Sequence, residues 1–429
     1  MPFGEASDTE DRAAVAMGFM GLVLKYGSEK DSIKYLPPEA ANMGLEFWIT
    51  NKIRELRDRA DDTKHKVGVI TGIDELKLTD QNLVPSNMGK FSMQSIVTQN
   101  FPFYSFVDVD LKGGDTEIDG SLDGIILTQP GRDLTEKELR RIDQFLMKGK
   151  SLAVFASAVN TKPSDATMSA TLSTRGLDKL LAGYGIELRK DAILDFGRSM
   201  RVLIPTQMGI SQVRIPQILK VQDDARFTGD EMLLDTSFAP FFRMQELPVP
   251  LASSLELKKE KQPEAKLKAV VRSTPVTARL TDDTVDLRFL QNWASALKKV
   301  EKVQQIVGAT VEGTLKSAFA EGDKQGVEAP EKSAKESRVF VLASSQFLTN
   351  PFARAGNGPD MGQMGMMMPM GGDETLTQIA GPYAKQELTN AILVFKNTLD
   401  WLSGDTDLLA ASAKILPDPG LVYGDVSKP

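Results

Sequence analysis

The chain contains no cysteine and one histidine, His65, among its 429 residues. The first lack excludes disulfides, thiolate metal sites and cysteine nucleophiles. The second removes His-rich metal sites and most Ser/His/Asp machinery. No run approaches the roughly 20 apolar residues that a membrane-spanning helix needs. The opening stretch MPFGEASDTEDRAAVAMGFMGLVLKYG is acidic before it is apolar, which is the reverse of a signal peptide. Neither sign of charge dominates: 51 Lys and Arg stand against 58 Asp and Glu, a net charge of −7 that argues against nucleic-acid binding as the main function.

What is present is ordinary globular material, 41% apolar and 25% charged, with length for two or three domains at about 150 residues each. Val15–Leu36 reads as a β-hairpin around a Gly-Ser-Glu-Lys-Asp turn. Leu45, Trp48, Ile49, Ile53 and Leu56 then recur at helical spacing, which predicts a helix over 40–59. Further on, KVGVITG (66–72), FYSFVDVDL (103–111), DGIILTQP (123–130) and SLAVFASA (151–158) are short β-rich runs, mostly without polar alternation. That is the pattern of strands buried on both faces. Between the last two, Thr135 and Glu138 have capping-box spacing, Leu139, Ile142 and Leu146 make an apolar stripe, and Gly149 supplies the stop. Strand and helix alternate, so an α/β fold with a mainly parallel sheet flanked by helices is expected.

The organisation expected from this pattern has four parts. Residues 1–60 form the hairpin and helix, and 61–200 the first part of the core. Residues 201–335, interrupted by Pro205, Pro216, Pro240, Pro248 and Pro250, form an inserted mixed α/β or β-rich subdomain. The charged, solvated connector 321–337 leads from that part into the next. Residues 336–429 return to the core through the buried strand Val339–Ala343 and the amphipathic helix 386–402. Five consecutive apolar residues at Val339–Ala343 need cover on both faces, which predicts that this strand lies in the same parallel sheet as Val67–Ile70, Ile125–Leu127 and Leu152–Phe155.

Motifs in this order resemble the soluble region of GldG-type auxiliary proteins of ABC transporters, associated with gliding motility and export. The carrying features are MGLVLKYGSEKDSI (20–33), KVGVITGIDE (66–75), LTEKELRRIDQFLMKGKSLAVF (134–155), VGATVEGTLKSAF (307–319), VFVLASSQFLTN (339–350) and NAILVFKNTLDWLSGD (390–405). The late strand and closing helix also resemble the GIFT domain, a Rossmann-like module shared with an intraflagellar-transport protein. The family commonly carries Asp where this chain has Gln346, which argues against a charged site there. The resemblance implies a Rossmann-like core and a non-enzymatic interaction domain of a transporter accessory subunit. Its implied partners are the ABC permease and ATPase subunits, with an envelope polymer or small-molecule ligand as a further contact. Implied too is a trimmed ectodomain on the extracytoplasmic (periplasmic) face of the bacterial inner membrane, tethered through segments absent from this chain.

Ligands of open parallel sheets bind at the carboxyl ends of the strands. Asp74 and Glu75 follow the first strand, Gln129 the third, Ser157 the fourth, and Ser344 and Ser345 the late one. Asp74, Glu75, Ser157, Ser344 and Ser345 are therefore the candidate ligand- or partner-binding residues, although each also reads as a loop group capping nearby backbone. No catalytic residue, metal site or cofactor is expected. Ser157 lacks the G-x-S-x-G elbow, TGIDE lacks a phosphate-cradling glycine pattern, and His65 falls at the amino end of its strand. Asn390, Asn397 and Trp401 share a helical stripe that reads as core and loop-tying. The Met-rich segment 361–372 reads as a flexible loop rather than a partner, membrane or Cu(I) contact. The alternative is a divergent hydrolase or carbohydrate-binding module working at the carboxyl edge.

Overall fold

The computed structural model describes residues 2–5, 14–17, 21–33, 45–85, 88–161, 168–206, 209–242, 244–288, 293, 297–298, 300–321, 323–353 and 374–404. The Met-rich segment 361–372 and everything beyond 404 lie outside the described residues. The chain divides into two compact units, Met1–Lys64 with Asp405–Pro429, and His65–Gly404.

In the first unit, Leu22–Tyr26 pairs antiparallel with Glu29–Ile33, with Tyr26 opposite Glu29. The turn is therefore tighter than the sequence pattern implies. Gly27 takes φ +55°, so two residues suffice to reverse the chain and Glu29–Asp31 join the strand. Helix α1 (Leu45–Ala60) packs on both hairpin strands, and Lys52 Nζ bridges to Asp31 at 3.2 Å and Glu55 at 2.7 Å. A second antiparallel pair joins Pro2–Glu5 to Ala14–Met17.

The second unit is mixed α/β, with more strand than helix. Its main sheet has nine strands: β1 (His65–Thr71), β2 (Tyr104–Asp110), β3 (Gly124–Leu127), β4 (Ser151–Phe155), β5 (Ile186–Leu188), β6 (Leu255–Leu257), β7 (Ala265–Arg272), β8 (Ile306–Gly313) and β9 (Ser337–Leu342). They lie in the order β5-β6-β8-β9-β4-β3-β1-β2, with β7 also paired to β8. β2, β1, β3, β4 and β9 run parallel; the pairs made by β5, β6, β7 and β8 are antiparallel. The expected mainly parallel sheet is thus a parallel half continued by an antiparallel half. The strands that change its character, β6, β7 and β8, come from 201–335, so that segment is not a self-contained insertion. Val307, Ala309 and Val311 of β8 are fully buried and can be covered only by joining the sheet.

Side-chain alternation along the parallel strands builds two cores. Val67, Val69, Ile126, Ala153, Phe155, Phe340 and Leu342 face one side, and meet Met93 and Val97 of α2 (Met93–Asn100). Val394, Phe395, Leu399 and Trp401, from the end of the described chain, belong to the same core. Ile70, Ile125, Leu127, Leu152, Val154, Val339 and Val341 face the other side. There they meet Leu139, Ile142, Phe145 and Leu146 of α3 (Glu136–Met147) and Leu177, Leu180 and Leu181 of α4 (Leu177–Gly183). Strands with no polar face are thereby covered twice, as their sequences demand.

The chain ends its described course in α5 (Glu374–Gln386) and α6 (Leu388–Leu402). Phe395 is fully buried, stacked 6.2 Å from Phe106 and edge-on 5.9 Å from Phe155. The buried Lys396 ammonium lies 2.7 Å from Asp400, whose other oxygen accepts from the Tyr104 hydroxyl of β2. Trp401 is core. Part of the expected solvated connector is also pinned down. Val327, Ser333 and Ser337 are buried, the Ser333 hydroxyl accepts from Leu315 N at 3.0 Å, and Ala334 N donates to Met147 O at 2.9 Å. The remaining strands form three small antiparallel sheets at the flanks.

Phe340 sits at the crowded centre, with Phe155, Phe238, Phe241 and Trp401 all within 6.2 Å between centroids. Phe340→Ala should cost about 3–5 kcal/mol of stability. Urea unfolding with an unchanged m-value checks this; a loss below about 1 kcal/mol would mean the ring is not part of the cooperative core.

Candidate functional site

The crossovers from β1 and from β3 leave the sheet on opposite sides. α2 lies with the Val67–Val69 face and α3 with the Ile70–Ile125 face. Two loops that diverge at neighbouring strand ends open a crevice, and in α/β sheets this is where ligands collect. Here the crevice floor is laced. Leu76 N donates to Gln129 O at 2.9 Å, the Thr128 hydroxyl to Leu76 O at 2.7 Å, and Gly131 N to Ile73 O at 3.0 Å. Glycine is required at 131, because a Cβ there would lie 2.2 Å from Asp74 O.

Above this lacing lies a cleft of about 340 Å³. Asp74, Glu75, Asp80 and Asn82 line it after β1, Gln129, Pro130 and Gly131 after β3, and Asn160 and Thr161 after β4. Gln346, Thr349 and Asn350 line it after β9, and Arg175, Thr171, Met168 and Leu251 from the flank. A smaller cleft of about 290 Å³ opens on the other side of the 72–79 loop, and Asp74 and Glu75 line both.

Most of the polar groups at this edge are already engaged. The Gln129 carboxamide clips the β4 end: its Oε1 accepts from Ser157 N at 2.9 Å, and its Nε2 donates to Ser157 O at 3.1 Å and Asn160 Oδ1 at 2.9 Å. Asn160 Nδ2 serves the carbonyls of Ala158, Thr171 and Ser173. Asn350 Nδ2 donates to Leu83 O and Ala380 O, and its Oδ1 accepts from Phe352 N. Arg175 reaches Asn160 at 3.2 Å and Asp133 at 3.3 Å. Glu75 is buried, and the hydrogen bond recorded for its carboxylate is the one from Ile73 N at 3.1 Å. Asp74 is exposed.

Of the five candidate residues read from sequence, Asp74 and Glu75 line the cleft together. The three serines do not. Ser157 donates to Leu251 O at 2.9 Å, Ser344 to Pro250 O, and Ser345 to Leu251 O at 3.5 Å; all are buried and tie strand ends to the 250–251 backbone. Gln346, where a charge was not expected, lines the cleft as a neutral amide. His65 opens β1, at the far end of the strand from the cleft, with Nδ1 3.5 Å from Asp123. Among the described residues no group of three or more His, Asp or Glu could hold a metal ion.

Sequence reasoning missed Asn160, Arg175 and Asn350. It also missed the backbone that presents some of these residues. Seven non-glycine residues among those described have positive φ, and four of them, Asp74, Met168, Arg175 and Leu251, line this one cleft. Left-handed backbone at non-glycine residues carries a conformational cost and gathers where a binding surface is built. Nothing in the residue types marks Met168 or Leu251 for it.

One clamp holds the β3–α3 loop. The Arg132 guanidinium grips both oxygens of Glu138 at 2.7 and 3.0 Å and donates to Gly72 O at 2.8 Å. Thr135 and Glu138 close the capping box that their spacing predicts. Burial pushes the Glu138 carboxyl up, but the hydrogen bonds from Arg132 and Thr135 N outweigh it and hold it below the ordinary range.

Residues 64–375 match the family model described as an ABC-type uncharacterized transport system, with the auxiliary component as its subject. The chain belongs to this family. Among solved structures it is similar to the mmIFT52 N-terminal domain, at 12% identity and a TM-score of 0.36, covering 79% of this chain and 97% of that one. None of the curated proteins compared with it matches significantly. No helix among the described residues is long and apolar enough to cross a membrane.

Two predictions follow from the edge. Gln129→Ala strands the buried Ser157 N–H and should cost about 1–3 kcal/mol, read as a lower urea midpoint. Because the Glu138 pKa is depressed on folding, its contribution is complete above the ordinary carboxylate range and is lost as pH falls through the folded value. Glu138→Gln should therefore flatten the acid limb of the stability curve as pH falls through and below the ordinary carboxylate range. An unchanged acid limb would refute the clamp.

Proposed function

We propose that the chain is a non-enzymatic interaction domain of a GldG-type ABC-transporter accessory subunit, placed on the extracytoplasmic side and docking the permease, through which it is joined to the ATPase subunit of the same system. The observation that carries this reading is the state of the cleft. Its amides and the nearby serine hydroxyls are spent on the protein's own backbone, while Asp74 and Arg175 stand at strained, presented positions. A surface so built recognises a partner; it does not offer an activated nucleophile. Family membership supports the transport setting. The strand order β2-β1-β3-β4, with crossovers on opposite faces, supports the Rossmann-like, GIFT-like reading of the core.

One observation favours ligand binding, whether of an envelope polymer or a small molecule, as a second reading. Glu75 is buried between two clefts, with a backbone amide as the hydrogen-bond partner recorded for it. Glu75→Ala separates the two readings, since it should abolish ligand binding and leave subunit docking intact.

The test is co-purification of the tagged full chain with the detergent-solubilised permease and ATPase. Both should be captured, and Arg175→Glu should lower recovery about tenfold or more while the melting temperature stays close to wild type. A permease–ATPase complex that forms but never retains the chain would overturn the proposal. The purified chain should show no ATP turnover; hydrolysis abolished by Glu75→Ala would overturn the non-enzymatic part.

A further inference from the structure

From Phe196 to Gln222 the chain has no Asp or Glu but four basic residues, Arg198, Arg201, Arg214 and Lys220, in a protein whose net charge is −7. This stretch forms one antiparallel ribbon, Ser199–Thr206 paired with Gly209–Gln222. A third strand, Glu246–Pro250, covers only its base, from Ile218 to Gln222. Met200, Val202 and Ile215 are buried on the opposite face. Leu203 is 69% exposed and Ile210 75%, more than any other large apolar side chain among the described residues.

The register orders these groups along one face. Arg201 is opposite Arg214, Leu203 opposite Gln212, and Pro205 opposite Ile210. Residues two apart on a strand share a face, so the exposed Arg201 and Arg214 stand nearer the body and the exposed Leu203 and Ile210 nearer the end. Like charges directly opposite on neighbouring strands repel, and an anion between them relieves this. Arg198 and Lys220 are already paired, with Asp224 and with Glu246 and Glu387. Arg214 donates to the Phe196 carbonyl, and the Arg201 side chain makes no hydrogen bond or ion pair to any described residue.

We propose that this ribbon docks on an anionic lipid surface through four of its residues, with Arg201 and Arg214 on the phosphates and Leu203 and Ile210 below them. The spacing fits. At about 3.3 Å per residue, Leu203 lies about 7 Å beyond Arg201 and Ile210 about 13 Å beyond Arg214. The headgroup layer of one leaflet is about 5–8 Å thick, so arginines at phosphate depth place both apolar residues at or inside the hydrocarbon boundary. The basic and apolar groups thus follow the order of layers in a bilayer leaflet.

The lack of cysteine makes the test clean. The full chain carrying Ile210→Cys, labelled with a polarity-sensitive nitrobenzoxadiazole dye, is titrated with vesicles of equimolar phosphatidylglycerol and phosphatidylcholine; Ser121→Cys, in an exposed loop, is the labelled control. The Ile210 label should brighten and shift to the blue while the control stays unchanged. Arg201→Glu added to it should weaken partitioning about fivefold or more. Leu203→Asp should abolish insertion without changing the melting temperature. No spectral change on anionic vesicles, or an equal change on pure phosphatidylcholine, would overturn the proposal. A change elicited by the detergent-solubilised permease and not by vesicles would reassign the ribbon to protein docking and overturn it equally.

Discussion

Strands β4 and β9 are separated by about 180 residues of chain, yet they lie side by side in register, Leu152 against Val339 and Val154 against Val341. Neither carries an exposed face: the β4 residues are all buried, and so are Val339–Leu342. An apolar strand covered above and below but unpaired at its edge would leave its backbone amides and carbonyls unsatisfied in a dry interior. Each strand therefore supplies what the other lacks. The cleft inherits this pairing, since its walls include the loops that leave β4 at Ser157–Thr161 and β9 at Gln346–Pro351.

The engaged polar groups around that cleft explain why the edge can be both polar and rigid. Gln129, Asn160 and Asn350 each satisfy several backbone groups that would otherwise face a low-dielectric interior, so their amides act as structural ties. The left-handed backbone at Asp74, Met168, Arg175 and Leu251 is held in place by this web. Rigidity of this kind lowers the ordering cost of binding, which matters more to a docking surface than any single added contact.

Much of the fold was legible in the sequence, for identifiable reasons. Continuous apolar runs such as Ile125–Leu127 and Val339–Leu342 read as doubly covered strands because nothing in them can face water. The Thr135–Glu138 spacing placed the start of α3. The membership of β6, β7 and β8 in the main sheet was not legible: these strands are short or half polar, and their partners are fixed by three-dimensional register rather than by local pattern. Of the site, Asp74 and Glu75 were found because strand ends are ligand edges. The serines after β4 and β9 were read as candidates by the same logic, but the logic could not see the Pro250–Leu251 backbone arriving from a distant segment to take their hydrogen bonds.

The separation of β4 from β9 along the chain has a consequence for biogenesis. A ribosome adding about 5–20 residues per second needs roughly 10–40 s to pass from Phe155 to Ser337. Throughout that interval β1, β2, β3 and β4 can assemble, but β4 presents an open, largely apolar edge, the kind of template on which other chains aggregate. The sheet of the newborn protein is therefore incomplete until Ser337–Leu342 emerges. A holdase that shields strand edges would act on it before any partner subunit could, and truncation upstream of Ser337 would leave a nascent chain that sticks to its neighbours.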